Sequence, residues 1–366
     1  MTADHPMLAN ILSLAEPSTW QTSLELAENA ALPWLEGDCP VERVCFVGCG
    51  SSLYNGQVGK YFMEYLAHIP AEAVPAFTFA KYAEPALLGP PTLVIGISTT
   101  GGTQAVCEAL DRARAAGSLT LAVTAQTGSP VTRCAEATLL TGGQNDRISV
   151  KTSSYVQALI SLLVLATRLA EVRRAASPEK AKEWRSQVLK AAEGARAFLA
   201  SQRSEIQALA EHFSGAERVF VLGAGPNAGT AEEASLKIIE MAKMHSECQE
   251  IENFLHGRLR EVDQANPLFF IAPHGAASGR VLDFLTVTHH IQVPTVVLSE
   301  EITPGIQDLA THFIRMPGGL DEFATPLLYI IPMHLFGYEM ALRRGYDPNA
   351  RRYNLTPQNV RYGDVL

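Results

Sequence analysis

The stretch "ERVCFVGCGSS" fills residues 42–52, and "ERVFVLGAGPN" fills residues 217–227. Each is an apolar run that ends in Gly-x-Gly. Such a run reads as a buried strand, and the glycines as the tight turn leading into a helix. Glu42 of the first copy answers to Glu217 of the second, an offset of 175 residues. That is far beyond the period of a solenoid repeat. It predicts one doubly wound domain present twice. The copies end differently, the first in Ser51-Ser52 and the second in Pro226-Asn227.

Outward from each turn, strand and helix signals alternate. In the first half "TLVIGIS" (92–98), "LTLAVTA" (119–125) and "EATLLTG" (136–142) read as strands. Helices are expected over about 52–67, 103–116 and 153–174. In the second half strands are expected at 267–273, 294–300 and 312–317. Helices are expected at 230–244, 278–291 and 326–345, the last interrupted at Pro332. A polar Lys/Arg/Glu-rich stretch, 175–213, reads as a solvated helix and linker. The pattern predicts an α/β protein of two doubly wound parallel-sheet, flavodoxin-like domains related by duplication. The expected divisions are a helical segment at 1–40, a first domain at 41–174, the linker at 175–213, a second domain at 214–346, and a tail at 347–366 near the active site.

Composition narrows the partners. The chain has 366 residues, 47% hydrophobic and 18% charged, with a net charge of -9. No bulk attraction draws it to nucleic acid or to an anionic membrane. No stretch reads as approaching the ~20 apolar residues of a membrane span, and the first residues lack a basic leader. A cytoplasmic protein is expected. None of the six cysteines forms a C-x-x-C pair, so reduced, buried thiols are expected. Cys49 lies inside the glycine turn, but no histidine near it in sequence marks it as a nucleophile.

The turns admit more than one use. Gly223-Ala-Gly225-Pro-Asn-Ala228 satisfies the dinucleotide fingerprint, with Glu247 and Glu250 as candidate ribose acids. The same glycines would equally serve as plain tight turns. The first half offers more chemistry. "STTGGT" at 98–103 places Ser98, Thr99, Thr100 and Thr103 around two glycines, after a buried strand. Ser51 and Ser52 take the matching place after the first strand. Hydroxyls together with helix N-terminal N–H groups suit a phosphate monoester. The absence of a Walker lysine argues against a nucleoside triphosphate. In the second half the matching stretch, "HGAASG", carries one hydroxyl. Glu233, Lys237 and Glu240 share one helical stripe and read from spacing alone as a surface ion pair. His245 and His256 read as loop residues with no zinc-type spacing, so no metal is expected.

These pieces occur together in one order: "GCGSS" (48–52), "STTGGT" (98–103), "SVKTSS" (149–154), "EASLKIIE" (233–240) with Glu232 before it, "FLHG" (254–257) and "RRYNL" (351–355). From about residue 40 onward the chain resembles the sugar isomerase (SIS) family with tandem domains. It is similar to the isomerase half of glucosamine-6-phosphate synthases, to fructosamine-6-phosphate deglycases and to amino-sugar-phosphate deaminases. The resemblance implies that Ser52, Ser98, Thr99, Thr100 and Thr103 hold a sugar phosphate, and that Val150 and Thr152 line the sugar. It implies that Glu240 moves a proton between C1 and C2. His256 would assist ring opening or proton transfer in the neighbouring subunit's site, which implies a homodimer, and Lys237 would be structural. No cofactor is implied.

Departures steer the reaction. No glutaminase domain is expected before the isomerase-like part, and so no ammonia from glutamine. Pro357 stands where the synthases carry a tail lysine, and Arg147 where they carry an acid. Ile251-Glu252-Asn253 replaces a Ser-Gly pair of the deglycases. The expected activity is loss of the amine from a 6-phosphorylated amino sugar or ketosamine. A plain aldose–ketose isomerase and a non-catalytic phosphosugar-binding regulator are the alternatives.

Overall fold

The structure, a computed structural model, describes residues 5–35, 39–143 and 148–353. Arg147, Pro357 and the tail beyond Tyr353 lie outside the described residues. The chain divides into two units, each built on one sheet. Among the described residues, the first unit takes 17–143, 153–189 and 353. The second takes 5–16, 148–152 and 190–352.

In the first unit five parallel strands run in the order β2-β1-β3-β4-β5. They are β1 Arg43–Gly48, β2 Ala71–Pro75, β3 Thr92–Ile97, β4 Leu119–Thr124 and β5 Ala137–Leu140. β1, β3 and β4 are covered on both faces, so their sequences are continuous apolar runs rather than alternations. Cys45, Val47, Val94 and Ala122 pack against Phe79, Val106 and Leu110 of the flanking helices. Helix Ser153–Val172 supplies much of the remaining core.

The second unit repeats the plan, with the strand order β10-β9-β8-β6-β7. Its strands are β6 Arg218–Gly223, β7 His245–Glu250, β8 Leu268–Ile271, β9 Thr295–Ser299 and β10 His312–Arg315. Numbered within each unit, both sheets read 2-1-3-4-5, the flavodoxin-type order. The fold class expected from the sequence is therefore the one observed. Phe220, Leu222, Phe270 and Val297 pack against Phe254 and Phe284.

The sequence reading needs four corrections. It has no strand at β2 or β7, the edge strands beside β1 and β6. "AEAVP" is half exposed and ends in proline, and "HSECQE" holds no apolar run. An edge strand with polar or proline residues carries little hydrophobic signal. Second, helix Pro326–Arg343 continues through Pro332, buried on all sides by packing. Tertiary contacts hold it where local propensity alone would break it. Third, helix Ser153–Val172 is long and apolar enough to cross a membrane by length and composition. Its apolar window, of mean hydropathy 1.5, is 83% buried inside the protein. Fourth, all six cysteines are free thiols, but only Cys45 is buried. Cys39, Cys107, Cys134 and Cys248 are half-buried and Cys49 is exposed. Burial pushes the Cys45 thiol up to about 12.

Candidate functional site

The two glycine turns have one backbone geometry. Gly50 and Gly225 stand before their helices at φ 54° and 53°, a region costly for a residue with a Cβ. A Cβ on Gly48 would lie 2.7 Å from the Leu53 nitrogen, and one on Gly223 would lie 2.1 Å from the Asn227 carbonyl oxygen. In both copies the first glycine lets the helix start against the strand, and the second makes the turn.

What fills each turn differs. In the first unit β1 and β3 are parallel neighbours. Their carboxyl ends meet at the point where strand order reverses, where sheets of this type bind ligands. The loops leaving them carry the predicted hydroxyls. Ser52 is half-buried at the start of helix Ser51–Leu66, beside Ser51. Ser98 is buried, and its Oγ lies 3.0 Å from the Thr103 Oγ1. Thr103 stands at the N-cap of helix Gln104–Ala115, but its hydroxyl oxygen accepts no capping N–H, being turned to Ser98 instead. The Thr99 carbonyl accepts from the Ala125 N–H at 3.1 Å and the Thr124 hydroxyl at 3.3 Å, which fixes the loop. Thr100 is exposed. A Cβ on Gly102 would meet no atom within 4 Å, so the loop opens onto free space there. Cys49, in the turn after β1, is exposed as a residue, but the protein around its sulfur shields it from water enough to push the thiol up, against a nucleophilic role.

In the second unit the corresponding N–H groups already have anionic partners from the chain itself. The Ala276 N–H donates to Glu322 Oε2 at 3.1 Å, and the His274 N–H to Glu300 Oε1 at 3.0 Å. The Glu322 carboxyl lies 2.2 Å from where a Gly275 Cβ would stand. The candidate ribose acids are engaged too. Glu250 caps helix Ile251–Leu255 through the Asn253 N–H, and Glu247 pairs with Arg258 at 3.0 Å. These residues do not fit a dinucleotide.

The chemistry of the second unit lies one helix face away. Helix Pro226–Ala242 packs against Pro326–Arg343 and buries the stripe that read as a surface pair. Glu233 and Lys237 are 0% and 1% exposed, while the Glu240 side chain keeps 36% exposure. The Lys237 ammonium sits 3.4 Å from Glu233 Oε1 and 2.5 Å from Glu240 Oε2. Burial pulls this ammonium down, but the two carboxylates outweigh that and leave it raised, so Lys237 is charged. His334, fully buried 3.9 Å from Glu233, is held below its ordinary value by burial and stays neutral. The surface reading of this stripe is therefore wrong. The sequence lacked the knowledge that a second apolar helix covers it.

The remaining predicted residues fall into two places. Val150 and Thr152 are buried in segment 148–152, which belongs to the same unit as Glu240. The Thr152 hydroxyl donates to Asn10 Oδ1 at 2.5 Å, and the Ser149 N–H to Asn349 Oδ1 at 2.7 Å. His256 ends helix Ile251–Leu255 with its side chain 76% exposed, its Nε2 3.3 Å from Glu252 Oε1. Among the described residues no hydrogen bond or ion pair joins His256 to Glu240. No group of three or more His, Cys, Asp or Glu among the described residues is placed to hold a metal. Sequence reading overlooked Asn10, Asn349 and Lys243, polar residues whose spacing carried no signal.

The SIS domain family matches residues 40–168 and 212–343, one copy over each sheet. The chain belongs to this family. It is 30% identical over 346 residues to the glutamine–fructose-6-phosphate aminotransferase [isomerizing] of Methanothermobacter thermautotrophicus, covering 94% of this chain and 56% of that protein. The chain thus spans about half the length of the curated relatives it matches. Among solved structures, the C-terminal domain of glucosamine-fructose-6-phosphate aminotransferase from Francisella tularensis superposes with a TM-score of 0.86 at 20% identity, covering 95% of this chain and 98% of that one. Glucosamine-6-phosphate deaminase from Thermotoga maritima gives 0.71 at 22% identity, covering 94% and 96%. These likenesses carry the fold.

Proposed function

We propose that the protein converts a 6-phosphorylated amino sugar or ketosamine by C1/C2 proton transfer with loss of the amine. The observation that carries this is the buried Lys237 ammonium holding one oxygen of a half-exposed carboxylate, Glu240. Such a carboxylate has a fixed direction and a second oxygen left for substrate. It can take a proton from one carbon of an open-chain sugar and return it to the neighbouring carbon. On a ketosamine, moving the proton from C1 to C2 turns the C1–N bond into an imine. Water then adds to that imine, giving an aldose phosphate and the free amine. On a 2-amino sugar the proton moves the other way and the C2 imine hydrolyses to a ketose phosphate and ammonia.

Ser51, Ser52, Ser98, Thr99, Thr100 and Thr103 hold the phosphate in this reading, through hydroxyls and the N–H groups of two helix starts. Val150 and Thr152 line the sugar. His256, exposed and bonded to Glu252, serves ring opening in a neighbouring subunit, which makes the working form a homodimer. The relatives' printed activities on fructose 6-phosphate and glucosamine 6-phosphate support this substrate class.

The test is a panel of fructosamine and amino-sugar 6-phosphates, followed for amine release and for sugar interconversion. Amine release that falls about 10²–10⁴-fold in Glu240→Gln, with phosphosugar affinity within a few fold, supports the reading. Interconversion without amine release makes the protein an aldose–ketose isomerase. Binding without turnover makes it a regulator.

A further inference from the structure

Helix Pro226–Ala242 ends in an unusual way. Its C-cap residue is Lys243, at φ 54° and ψ 32°, a left-handed conformation normally left to glycine or asparagine. The backbone reversal turns the side chain back along the helix. Its ammonium donates to the Glu240 carbonyl, a helix-end acceptor with no intrahelical partner, and to the Ala350 carbonyl at 2.7 Å. Arg352 returns a bond from its Nη2 to the Lys243 carbonyl at 3.1 Å. Segment 349–352 is thereby fastened to the turn of helix that carries Glu240.

The same segment holds the sugar-lining loop. Asn349 accepts from the Ser149 N–H, and Arg351 Nε reaches the Ser149 Oγ at 3.4 Å. The side chain of Asn349 is itself oriented by a turn in which Asp347 Oδ1 accepts from the Asn349 N–H at 2.8 Å. The order of connection is Glu240 helix, Lys243, segment 349–352, Ser149, then Val150 and Thr152. The far end of the loop is pinned separately by Asn10.

We propose that Lys243 is a positioning residue, which sets the Val150–Thr152 loop relative to the Glu240 carboxylate by clasping segment 349–352. This rests on the proposed role of Glu240. A helix cap alone would need only the Glu240 carbonyl. The second bond, to the Ala350 carbonyl outside the helix, serves no capping purpose, whereas the Arg352 bond caps the Lys243 carbonyl from the same segment. The strained backbone is explained if only that turn brings the ammonium to both carbonyls.

The test uses Lys243→Gly, which suits the left-handed backbone and deletes only the side chain. Lys243→Arg keeps a cationic donor, and Asn349→Ala cuts the clasp at its other end. Hydrogen exchange of the whole protein is read at residues 148–152 and 349–352, with kcat and KM on the best substrate of the panel. Lys243→Gly and Asn349→Ala should each speed exchange at Ser149 at least about tenfold. A misplaced sugar should lower kcat about 10–100-fold, with KM within about threefold because the phosphate anchor is untouched, and Lys243→Arg should recover most of the loss. Unchanged exchange in Lys243→Gly overturns the clasp. Faster exchange with unchanged kcat overturns the positioning role. If no panel compound turns over, the proposed reaction fails, while the exchange data still decide whether the clasp exists.

Discussion

The helices that follow the two glycine turns share one register and bury different chemistry. At the offset of 175 residues, Val58, Phe62 and Tyr65 of the first unit answer to Glu233, Lys237 and Glu240 of the second. Val58 and Phe62 are fully buried, as are Glu233 and Lys237, and Tyr65 and Glu240 both reach the surface. The same fold therefore forms with an apolar pair at these places. Burying an ion pair there is not required for folding, and replacing one by apolar residues of similar volume is often neutral or stabilising. The ionic version is kept in the unit whose third member is the candidate acid/base. That is the pattern expected if the second copy carries the acid/base proposed above.

The largest effect that can break this comparison comes from unbalancing the pair. Lys237→Met leaves Glu233 buried without its counter-charge. It should lower unfolding stability by about 3–5 kcal/mol, read by denaturant titration. Glu233→Val combined with Lys237→Met imitates the first unit and should recover most of that loss while activity stays absent. A double variant no more stable than the single would mean the ion pair is structural.

A smaller effect separates the loops after β3 and β8. Removing both members of the Ser98–Thr103 pair, as Ser98→Ala with Thr103→Val, leaves no buried partner unsatisfied and should cost little stability. Binding of a phosphosugar, measured by calorimetry, should weaken by about 1.5–3 kcal/mol for each charge-assisted bond lost. Unchanged affinity would remove the phosphate from this loop.

How much of this was legible follows from where information lies in a chain. β1, β3, β6 and β8 announced themselves because central parallel strands are apolar throughout. The edge strands β2 and β7 did not, because "AEAVP" and "HSECQE" are defined by the neighbour they pair with. The hydroxyl loops were legible because they are contiguous. The burial of Glu233 and Lys237 was not, since it depends on helix Pro326–Arg343, about a hundred residues away. Lys243 was hidden because its role arises from a backbone angle and a distant carbonyl.

The buried histidine gives a pH test confined to one unit. His334 faces Glu233 and Lys237 and is held below its ordinary value of 6.5 by burial. The unfolded chain therefore binds a proton as pH falls below 6.5 while the folded chain does not. Stability from this group is present above that point and is lost on acidification, by up to about 1.4 kcal/mol per pH unit. In His334→Gln that component of the slope should vanish. A slope that persists unchanged assigns the acid sensitivity to other groups.

The smallest effect bears on the loop after β8. Ser278 Oγ accepts from the Gly275 N–H at 3.0 Å, in the loop whose His274 and Ala276 N–H groups are held by Glu300 and Glu322. Ser278→Ala should cost about 0.5–1.5 kcal/mol of stability and leave phosphosugar affinity unchanged. The reason is electrostatic. A cradle already facing two carboxylates repels a phosphate, whatever its N–H groups could donate. In the loop after β3 the Ser98 and Thr103 hydroxyls stand at the matching place and pair with each other rather than with a carboxylate, which leaves that backbone suited to an external anion. A measurable loss of affinity in Ser278→Ala would show that the loop after β8 also touches ligand, and the division of labour between the copies would have to be redrawn.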